Sequence, residues 1–471
     1  MTRERKIAIA IYAVVLGAYL AASGGRLRSH SPDGDHYVWL ANSWLHGRLD
    51  LGRPPPHQND WAQVETVNLV DGRTLRGALV TGSTEMFRTL KGDIEQIPPA
   101  SVKSREMKYY VSFPPFPAVL MLPFVAVWGT NTNDVLFTAL LAPTAPMLLF
   151  LLLALLRRRG ESARSERDDL WLTAMFAVGT VYFYSSVIGQ VWYTAHVVSV
   201  ICVCLYARWS IDARRPALAG LALVCGFLCR PEILFGGVFF VWELLRVHMR
   251  VSDDNVAPQK GIRAALQDQW SRLDKGKVLR ALIAFGIPIA ILGAVAAGLN
   301  YARFGRLTEF GHTYLNVRWT PRIQKFGLFN YAFLGRNLAC LLALTPRLVK
   351  GSPWVQVSWH GLAFWITTPA LLYLVWPTLK GRLHRPLWLT VACLAIPNLL
   401  YQNSGWVQFG YRFMLDYMVF LMLLLAVGGR RIGFWFKVLI IVGVAVNLFG
   451  ALTFGRAQQF YFDSLFPPGI D

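Results

Sequence analysis

The chain has 471 residues and a net charge of +20, with 54% of its residues hydrophobic and 16% charged. Because the basic residues fall in short clusters between apolar runs, the charge indicates the loops of a membrane protein and argues against nucleic-acid binding. The six cysteines lie in or beside apolar segments at spacings that match no zinc site. We therefore expect neither a zinc site nor a disulfide framework.

Apolar runs close to the ~20 residues that cross a bilayer recur along the chain. The first follows a basic start and has no convincing cleavage pattern behind it, so we interpret it as a transmembrane helix rather than a signal peptide. The predicted spans lie at 7–23, 134–156, 170–188, 191–207, 216–229, 231–247, 279–299, 360–378, 387–401, 413–428 and 433–453. The sequence thus predicts an all-α polytopic membrane protein with about eleven transmembrane helices.

A long polar stretch at 24–112 separates the first span from a short apolar run. Within it, Asp71-Gly72 lies between two β-prone runs, which is typical of a β-hairpin. The apolar run at 113–128 opens with Phe113-Pro114-Pro115 and is short for a crossing, so we expect a re-entrant or interfacial helix there. The first loop is therefore predicted to be folded, with interfacial helices and a small β-hairpin.

Two acidic residues, Asp33 and Asp35, stand where the first span gives way to a water-facing loop and a predicted helix begins near Tyr37. One carboxylate there is a common N-cap, which is a purely structural role. Two carboxylates with a glycine and an aromatic residue exceed what a cap needs. A carboxylate at such a boundary can act on a substrate whose head is polar and whose tail stays in lipid.

The basic clusters predict an orientation. With the N-terminus in the cytoplasm, the clusters between closely spaced helices all fall on the cytoplasmic side, at 157–159, 208–215, 246–277, 380–385 and 430–431. The loops 24–112 and roughly 300–359 then face the exterior, provided that 113–128 does not cross. Both outer loops are basic, which reflects either the tolerance of long loops for charge or an anionic partner such as a phosphate. The high Arg content and the absence of Asn-x-Ser/Thr sites favour a bacterial inner membrane.

Charged residues also interrupt or flank later spans. Arg230-Pro231-Glu232 separates two apolar runs, so its ion pair either holds a helical hairpin or leaves Arg230 facing a substrate. Arg412 and Asp416 are four residues apart on one helical face, where they either pair with each other or border a functional cavity. In the second outer loop, arginines recur among aromatic residues, and one or two of them are expected to hold a phosphate.

Several of these features together resemble a known family over residues 1–156. They are Asp33 four positions before Tyr37 and eight before Ala41, Phe113-Pro114-Pro115, the later Trp128-Gly129, and the stretch from Asn131 to Asp134 that leads into a span. They are similar to the first outer loop of the GT-C glycosyltransferases, which include the protein O-mannosyltransferases and the bacterial enzyme that adds aminoarabinose to lipid A. The chain departs from the family pattern in two places, with Gly34 between its two acidic residues and Phe113 where a Lys often precedes the Pro pair.

The resemblance implies a GT-C-like fold, with a catalytic module at 1–156 and the remaining transmembrane helices at 157–471. It also implies transfer of a sugar, with inversion, from a polyprenyl-phosphate donor to an extracytoplasmic glycan, lipid or protein acceptor, with Asp33 or Asp35 in the active site. The candidates for binding substrate or phosphate are Tyr37, Lys108, Tyr110, Arg230, Arg303, His312, Arg318, Arg336 and Arg412. A divalent metal ion is compatible with the two aspartates, which alone are weak evidence for one.

This chemistry also fits the residue types independently. One carboxylate can accept the proton of the acceptor hydroxyl, and a guanidinium can neutralise the departing phosphate, which needs no separate general acid. Two alternatives stay open. A lipid-linked glycan polymerase or ligase would depend on Arg318, Arg336 or His312, and a transporter or flippase would form no glycosidic bond, although no internal repeat supports it.

Overall fold

The computed structural model describes residues 2–80, 82–249, 270–315, 317 and 319–463. The α-helices in these ranges are α1 (Arg3–Ser23), α2 (His36–Leu45), α3 (Phe116–Trp128), α4 (Asp134–Leu141), α5 (Thr144–Arg158), α6 (Glu166–Val178), α7 (Tyr182–Ser186), α8 (Gln190–Ser210), α9 (Pro216–Phe227), α10 (Val238–Val247), α11 (Lys275–Phe304), α12 (Thr320–Phe326), α13 (Leu334–Leu342), α14 (Phe364–Thr367), α15 (His384–Leu400), α16 (Leu415–Val427) and α17 (Phe434–Thr453).

Five helical stretches in the described ranges are long and apolar enough to cross a membrane. They are Arg3–Arg28, Asp134–Arg158, Gln190–Ala213, Lys275–Phe304 and Phe434–Thr453. All five coincide with predicted spans. The chain is thus a predominantly helical protein with the helices of a membrane protein.

The six other predicted spans are shorter or interrupted. Two of them contain 3₁₀ segments, Pro231–Gly237 at the start of the run 231–247 and Pro369–Val375 within the run 360–378. The predicted continuous helix at 360–378 is wrong, since only the four residues of α14 are α-helical there. Helix length alone therefore supports five crossings and not about eleven.

Helix α16 is the centre of the helical part. All of its residues are buried, including the apolar side chains on every face, so other helices surround it completely. Helix α11 is the opposite case, because only 11% of its most apolar window is buried although its hydropathy is high. An apolar helix with so much exposed surface is suited to contact with lipid tails.

The first loop contains a five-stranded antiparallel sheet. Its strands are β1 (Trp61–Leu69), β2 (Thr74–Leu79), β3 (Met86–Thr89), β4 (Ile94–Gln96) and β5 (Val102–Val111), in the order β4-β3-β2-β1-β5. The predicted hairpin is confirmed: Asp71-Gly72 turns β1 into β2, with Asn68 opposite Thr74. The sheet is larger than the small hairpin predicted, because β5 returns to pair with β1 from a distant part of the loop.

The sheet fixes the position of two short segments that matter below. Trp61, the first residue of β1, pairs with Val111, the last residue of β5. Asp60, the residue before β1, and Ser112, the residue after β5, therefore lie side by side at the same end of the two strands. Arg303 near the end of α11 donates to the Val111 carbonyl over 2.9 Å, which ties that end to a long helix.

The predicted second outer loop is also folded. It contains α12, α13, β6 (Arg347–Leu348) and β7 (Val355–Ser358). A strand from outside the loop, β8 (Tyr461–Phe462), pairs with β7 in parallel and completes a small sheet. Leu315 in this loop forms a bridge with Ala62 of β1. The two predicted outer loops thus contact each other.

Gly220 on α9 lies against the backbone of α11. A Cβ atom there would meet the Phe285 carbonyl oxygen at 2.0 Å, so the two helices can approach only because this residue has no side chain. We expect Gly220→Ala to lower the apparent melting temperature in detergent, at a cost of about 1–3 kcal/mol for the overpacking. Gly286→Ala is the matched control, since nothing lies within 4 Å of its added Cβ. Equal melting temperatures for the two variants would contradict the proposed close packing.

Candidate functional site

A cavity of about 280 Å³ lies where the edge of the sheet meets the helices. Its wall comes from the β1 and β5 edge, the first turns of α8, the 229–232 turn, the loop at 308–319 and the 401–413 segment. Ionisable side chains from distant parts of the sequence converge on it: Asp60, His196, Arg230, Glu232, His312 and Arg412. This cavity is the candidate functional site.

Asp60 is the acidic residue that the outer loop contributes. The Trp192 indole donates to its Oδ2 over 3.1 Å, whereas no described residue donates to its buried Oδ1. Its backbone has φ 55°, a left-handed conformation that aspartate tolerates better than most residues and that is common at functional sites. The Trp192 hydrogen bond therefore fixes one oxygen of the Asp60 carboxylate, and the other oxygen has no donor among the described residues.

The surroundings of Asp60 also change its acidity. Burial raises the pKa of Asp60 to about 6, although the Trp192 hydrogen bond and the charge of Arg412 act in the opposite direction. A carboxyl group with such a pKa is mostly ionised at neutral pH and still basic enough to accept a proton. These are the properties of a general base.

His36 and His57 hold the segment that carries Asp60. The Asn59 carbonyl accepts from His36 Nε2 over 2.8 Å, and the His36 ring stacks on Trp61 with 4.0 Å between centroids. The Trp61 indole donates to His57 Nδ1 over 3.3 Å. Asp60 thus lies between two residues whose positions are fixed.

Asp35 belongs to this supporting layer. It is buried, and its Oδ1 accepts from His57 Nε2 over 3.2 Å while its Oδ2 accepts from the Trp39 indole over 2.9 Å. Its side chain makes no capping hydrogen bond to α2, so the alternative of a simple N-cap does not hold. Asp35 orients His57, and through it the segment that ends at Asp60.

Asp33 is exposed, and its backbone carbonyl accepts from Asn59 Nδ2 over 3.4 Å. Neither Asp33 nor Asp35 lines the cavity. That one of them is the base stays a prediction, and the geometry adds Asp60 as another candidate.

Of the two arginines that line the cavity, Arg412 is the one without an ion-pair partner among the described residues. Its Nη1 donates to the Val407 carbonyl over 3.2 Å, and its guanidinium lies 5.2 Å from the centre of the Tyr193 ring. No carboxylate among the described residues forms an ion pair with it, and its buried Nε has no hydrogen-bond acceptor there. The predicted pairing of Arg412 with Asp416 is wrong. A guanidinium in this state can bind an anion that enters the cavity.

Asp416 pairs instead with Arg230, across 186 residues of sequence. Arg230 Nη2 lies 3.0 Å from Asp416 Oδ2, and its Nε lies 3.4 Å from Oδ1. Asn398 completes the arrangement, since it donates to Asp416 over 2.9 Å and accepts from Arg230 over 3.2 Å. His196 Nδ1 lies 3.3 Å from Asp416. This buried cluster joins α8, α15, α16 and the 229–232 turn beneath the cavity.

The ion pair predicted for the Arg230-Pro231-Glu232 motif is present, and a role for Arg230 in facing a substrate stays a prediction. Glu232 lies 3.6 Å from Arg230, so the predicted ion pair is present, and both side chains also line the cavity. The Glu232 Oε2 is buried without a hydrogen bond to any described residue. His312 lines the opposite wall, and burial lowers its pKa.

The other predicted binding residues lie elsewhere. Lys108 forms loose ion pairs with Asp50 and Glu106 on the sheet, and Tyr110 accepts a long hydrogen bond from Arg76. The Arg303 guanidinium donates hydrogen bonds to the carbonyls of Val111 and Leu299 and to the Asn300 side chain. Tyr37 is buried outside the cavity wall, Arg336 lines a neighbouring cavity, and Arg318 lies outside the described residues.

Of the residues predicted from sequence, the cavity therefore brings together Arg230, His312 and Arg412. Sequence reasoning missed His196, although a histidine inside an apolar span is itself a functional signal. It also missed Asp60, because nothing in the local pattern of Asn59-Asp60-Trp61 shows that β5 and α8 close over it.

In the described part of the chain, no three His, Cys, Asp or Glu side chains lie close enough together to hold a metal ion. No described residues are thus assigned to the divalent ion that the sequence allows. Comparison of the chain with protein-family models, with curated proteins and with solved structures finds no match in any of the three.

Proposed function

We propose that the chain is an integral membrane glycosyltransferase that transfers a sugar from a polyprenyl-phosphate donor to an extracytoplasmic acceptor with inversion. One observation carries the proposal: Asp60, whose Oδ1 has no donor among the described residues, and Arg412, which forms no ion pair with any of them, border the same cavity. Displacement of a phosphate from an anomeric carbon needs these two groups, a base for the hydroxyl and a cation for the leaving group.

The proposed step balances with the residues present. The acceptor oxygen forms a bond to the anomeric carbon from the face opposite the phosphate, and its proton passes to Asp60 Oδ1. The bond between the anomeric carbon and the phosphate oxygen breaks, and its electron pair stays on the polyprenyl phosphate. Arg412 neutralises that charge, and Arg230 at the cavity wall adds positive potential, partly offset by Asp416 and Glu232.

The proposed topology follows the sequence prediction. The N-terminus lies in the cytoplasm, about eleven helical segments cross or enter the bilayer, and the cavity opens at the exterior face of a bacterial inner membrane. The interrupted segments around Pro231 and Pro369 fit this topology only if other helices cover their backbone, since unpaired polar groups are costly in lipid. The central position of α16 supports such shielding.

Purified protein in detergent, incubated with radiolabelled polyprenyl-phosphate sugars and membrane extracts as acceptors, tests the activity. We expect one new glycoside for each polyprenyl phosphate released, and release slowed by about 10²–10⁴-fold in Asp60→Asn. Movement of a fluorescent lipid-linked sugar across proteoliposomes without a glycosidic bond would contradict the proposal and favour a flippase.

The roles of Asp35 and Asp60 can be separated by their pH profiles. We expect Asp35→Asn to reduce transfer by about tenfold to hundredfold, because a small displacement of the base is costly, and to keep the wild-type pH dependence. The measurement is the rate of transfer from pH 5 to 8. Complete loss of transfer in Asp33→Asn or Asp35→Asn, with transfer retained in Asp60→Asn, would show that Asp33 or Asp35 is the base and that Asp60 is not.

A further inference from the structure

A second cavity, of about 460 Å³, adjoins the candidate active site. Trp319 and Asn403 line both cavities, so the two are direct neighbours. The volume lies within the range of about 300–1,000 Å³ that small-molecule sites occupy. Nothing in the proposed step uses this outer cavity, which raises the question of what it binds.

Its aromatic side chains are arranged as walls. Trp319 and Trp406 stand perpendicular to each other, with 6.0 Å between ring centroids, and His360 lies 6.3 Å from Trp406. Aromatic ring faces offer rigid apolar area, on which the C–H-bearing face of a sugar ring can pack. A pair of walls at right angles suits a compact ring better than a flexible acyl chain.

Polar groups complete the wall in the manner of a saccharide site. The Asn403 Oδ1 accepts from the backbone of Gly405 and Trp406, which leaves its Nδ2 as a donor for a ligand. Ser404 lines the same wall beside it. Amides and hydroxyls are suited to sugar hydroxyl groups because they donate and accept hydrogen bonds.

The charge of the lining is positive. Of the described residues that line the cavity, Arg322 and Arg336 are basic and Asp463 is acidic, and Asp463 accepts from the Trp406 indole over 3.0 Å. Arg336 also donates to the carbonyl of Gln402, a residue that lines the inner cavity. Guanidinium groups favour carboxylates and phosphates through paired N–H donors, so the lining favours an anionic ligand.

We propose that the outer cavity is the acceptor site and that the acceptor is an acidic saccharide, bearing a carboxylate or phosphate. This inference rests on the proposed function, because the word acceptor has meaning only if sugar is transferred. The acidic group lies against Arg322 and Arg336, the sugar ring packs into the corner that the rings of Trp319 and Trp406 form, and a hydroxyl reaches past Trp319 toward Asp60.

Calorimetric titration of the purified full-length protein tests the site without any transfer. The probes are a disaccharide that contains glucuronic acid, its neutral glucose counterpart, and inorganic phosphate. We expect the acidic disaccharide to bind at least tenfold more tightly than the neutral one, and Arg322→Gln and Arg336→Gln to remove this preference. Lys325→Gln is the matched control, since Lys325 lies on the same short helix α12 as Arg322 but does not line the cavity.

Each outcome decides a different point. Equal binding of both disaccharides would overturn the acidic class, and unchanged binding in the two arginine variants would overturn the site. Binding of phosphate without either disaccharide would overturn a saccharide ligand. If the wild-type protein binds the acidic disaccharide but transfers no sugar to any acceptor, the saccharide site is supported and the proposed glycosyltransferase function is overturned. Trp406→Ala, with an unchanged melting temperature, should weaken both disaccharides.

Discussion

Replacement of Asp60 by Asn is expected to lower the rate of sugar transfer by about 10²–10⁴-fold, the usual contribution of a general base. Asn has nearly the same shape and can still accept from Trp192, but it cannot take the proton of the acceptor hydroxyl. Donor binding, followed by retention of radiolabelled polyprenyl-phosphate sugar, should change little. A loss in binding equal to the loss in rate would contradict a role in the chemical step.

The pH dependence of the transfer rate is a second test of Asp60→Asn. Since burial raises the pKa of Asp60 to about 6, the ionised base is lost as the pH falls through that value, and wild-type transfer should fall with it. The residual rate of Asp60→Asn should lack this acid limb. Asp93→Asn, an exposed turn residue far along the same loop, is the matched control and should behave as wild type.

The sign of the effect on stability is also fixed. A carboxyl whose folded-state pKa is raised contributes most favourably when protonated, so the contribution of Asp60 is full below its ordinary pKa and is lost as the pH rises through about 6. Asp60→Asn should therefore be no less stable than wild type at pH 8. A large fall in melting temperature at that pH would instead indicate a structural role.

The largest effect on stability is expected from Arg230→Met. This change leaves Asp416 buried, charged and without its main partner, which typically costs about 3–5 kcal/mol. The cluster joins four parts of the helical core, so the loss should appear as a lower apparent melting temperature of the whole protein. Thermal unfolding in detergent, followed by tryptophan fluorescence, measures it.

Two controls separate the buried charge from the loss of a side chain. The double variant Arg230→Met with Asp416→Leu removes both charges and should recover most of the stability, since an apolar pair of similar volume can replace a buried ion pair. Arg73→Met breaks the exposed ion pair with Asp71 on the hairpin and should leave the melting temperature unchanged. A double variant as unstable as Arg230→Met would show that packing, and not charge, is what the cluster contributes.

Local patterns in the sequence predicted local structure well. The Asp71-Gly72 turn predicted its hairpin because the signal and the structure lie within a few residues of each other. The pairing of β5 with β1 had no such signal, since strands more than thirty residues apart pair through the sheet as a whole. Apolar length likewise predicted the five long helices, but it could not show that Pro369 and its neighbours divide the run at 360–378.

The same division applies to the site. Arg230 and Arg412 were predicted because charges beside apolar runs are costly and need a reason. Their partners could not be predicted, since Asp416 has Arg412 as a neighbour in sequence and Arg230 as a neighbour in space. The two acidic residues of the motif around Asp35 predict a catalytic carboxylate there. The contacts of Asp35 to His57 and Trp39 instead place this residue behind Asp60.

Glycosyl transfer by direct displacement is tested by the anomeric configuration of the product, determined by NMR, from a donor of known configuration. We expect an inverted glycosidic bond and one polyprenyl phosphate released for each bond formed, because Asp60 as the base and phosphate as the leaving group allow one direct displacement. A product with retained configuration, or lipid-linked sugar that moves without forming any bond, would contradict it.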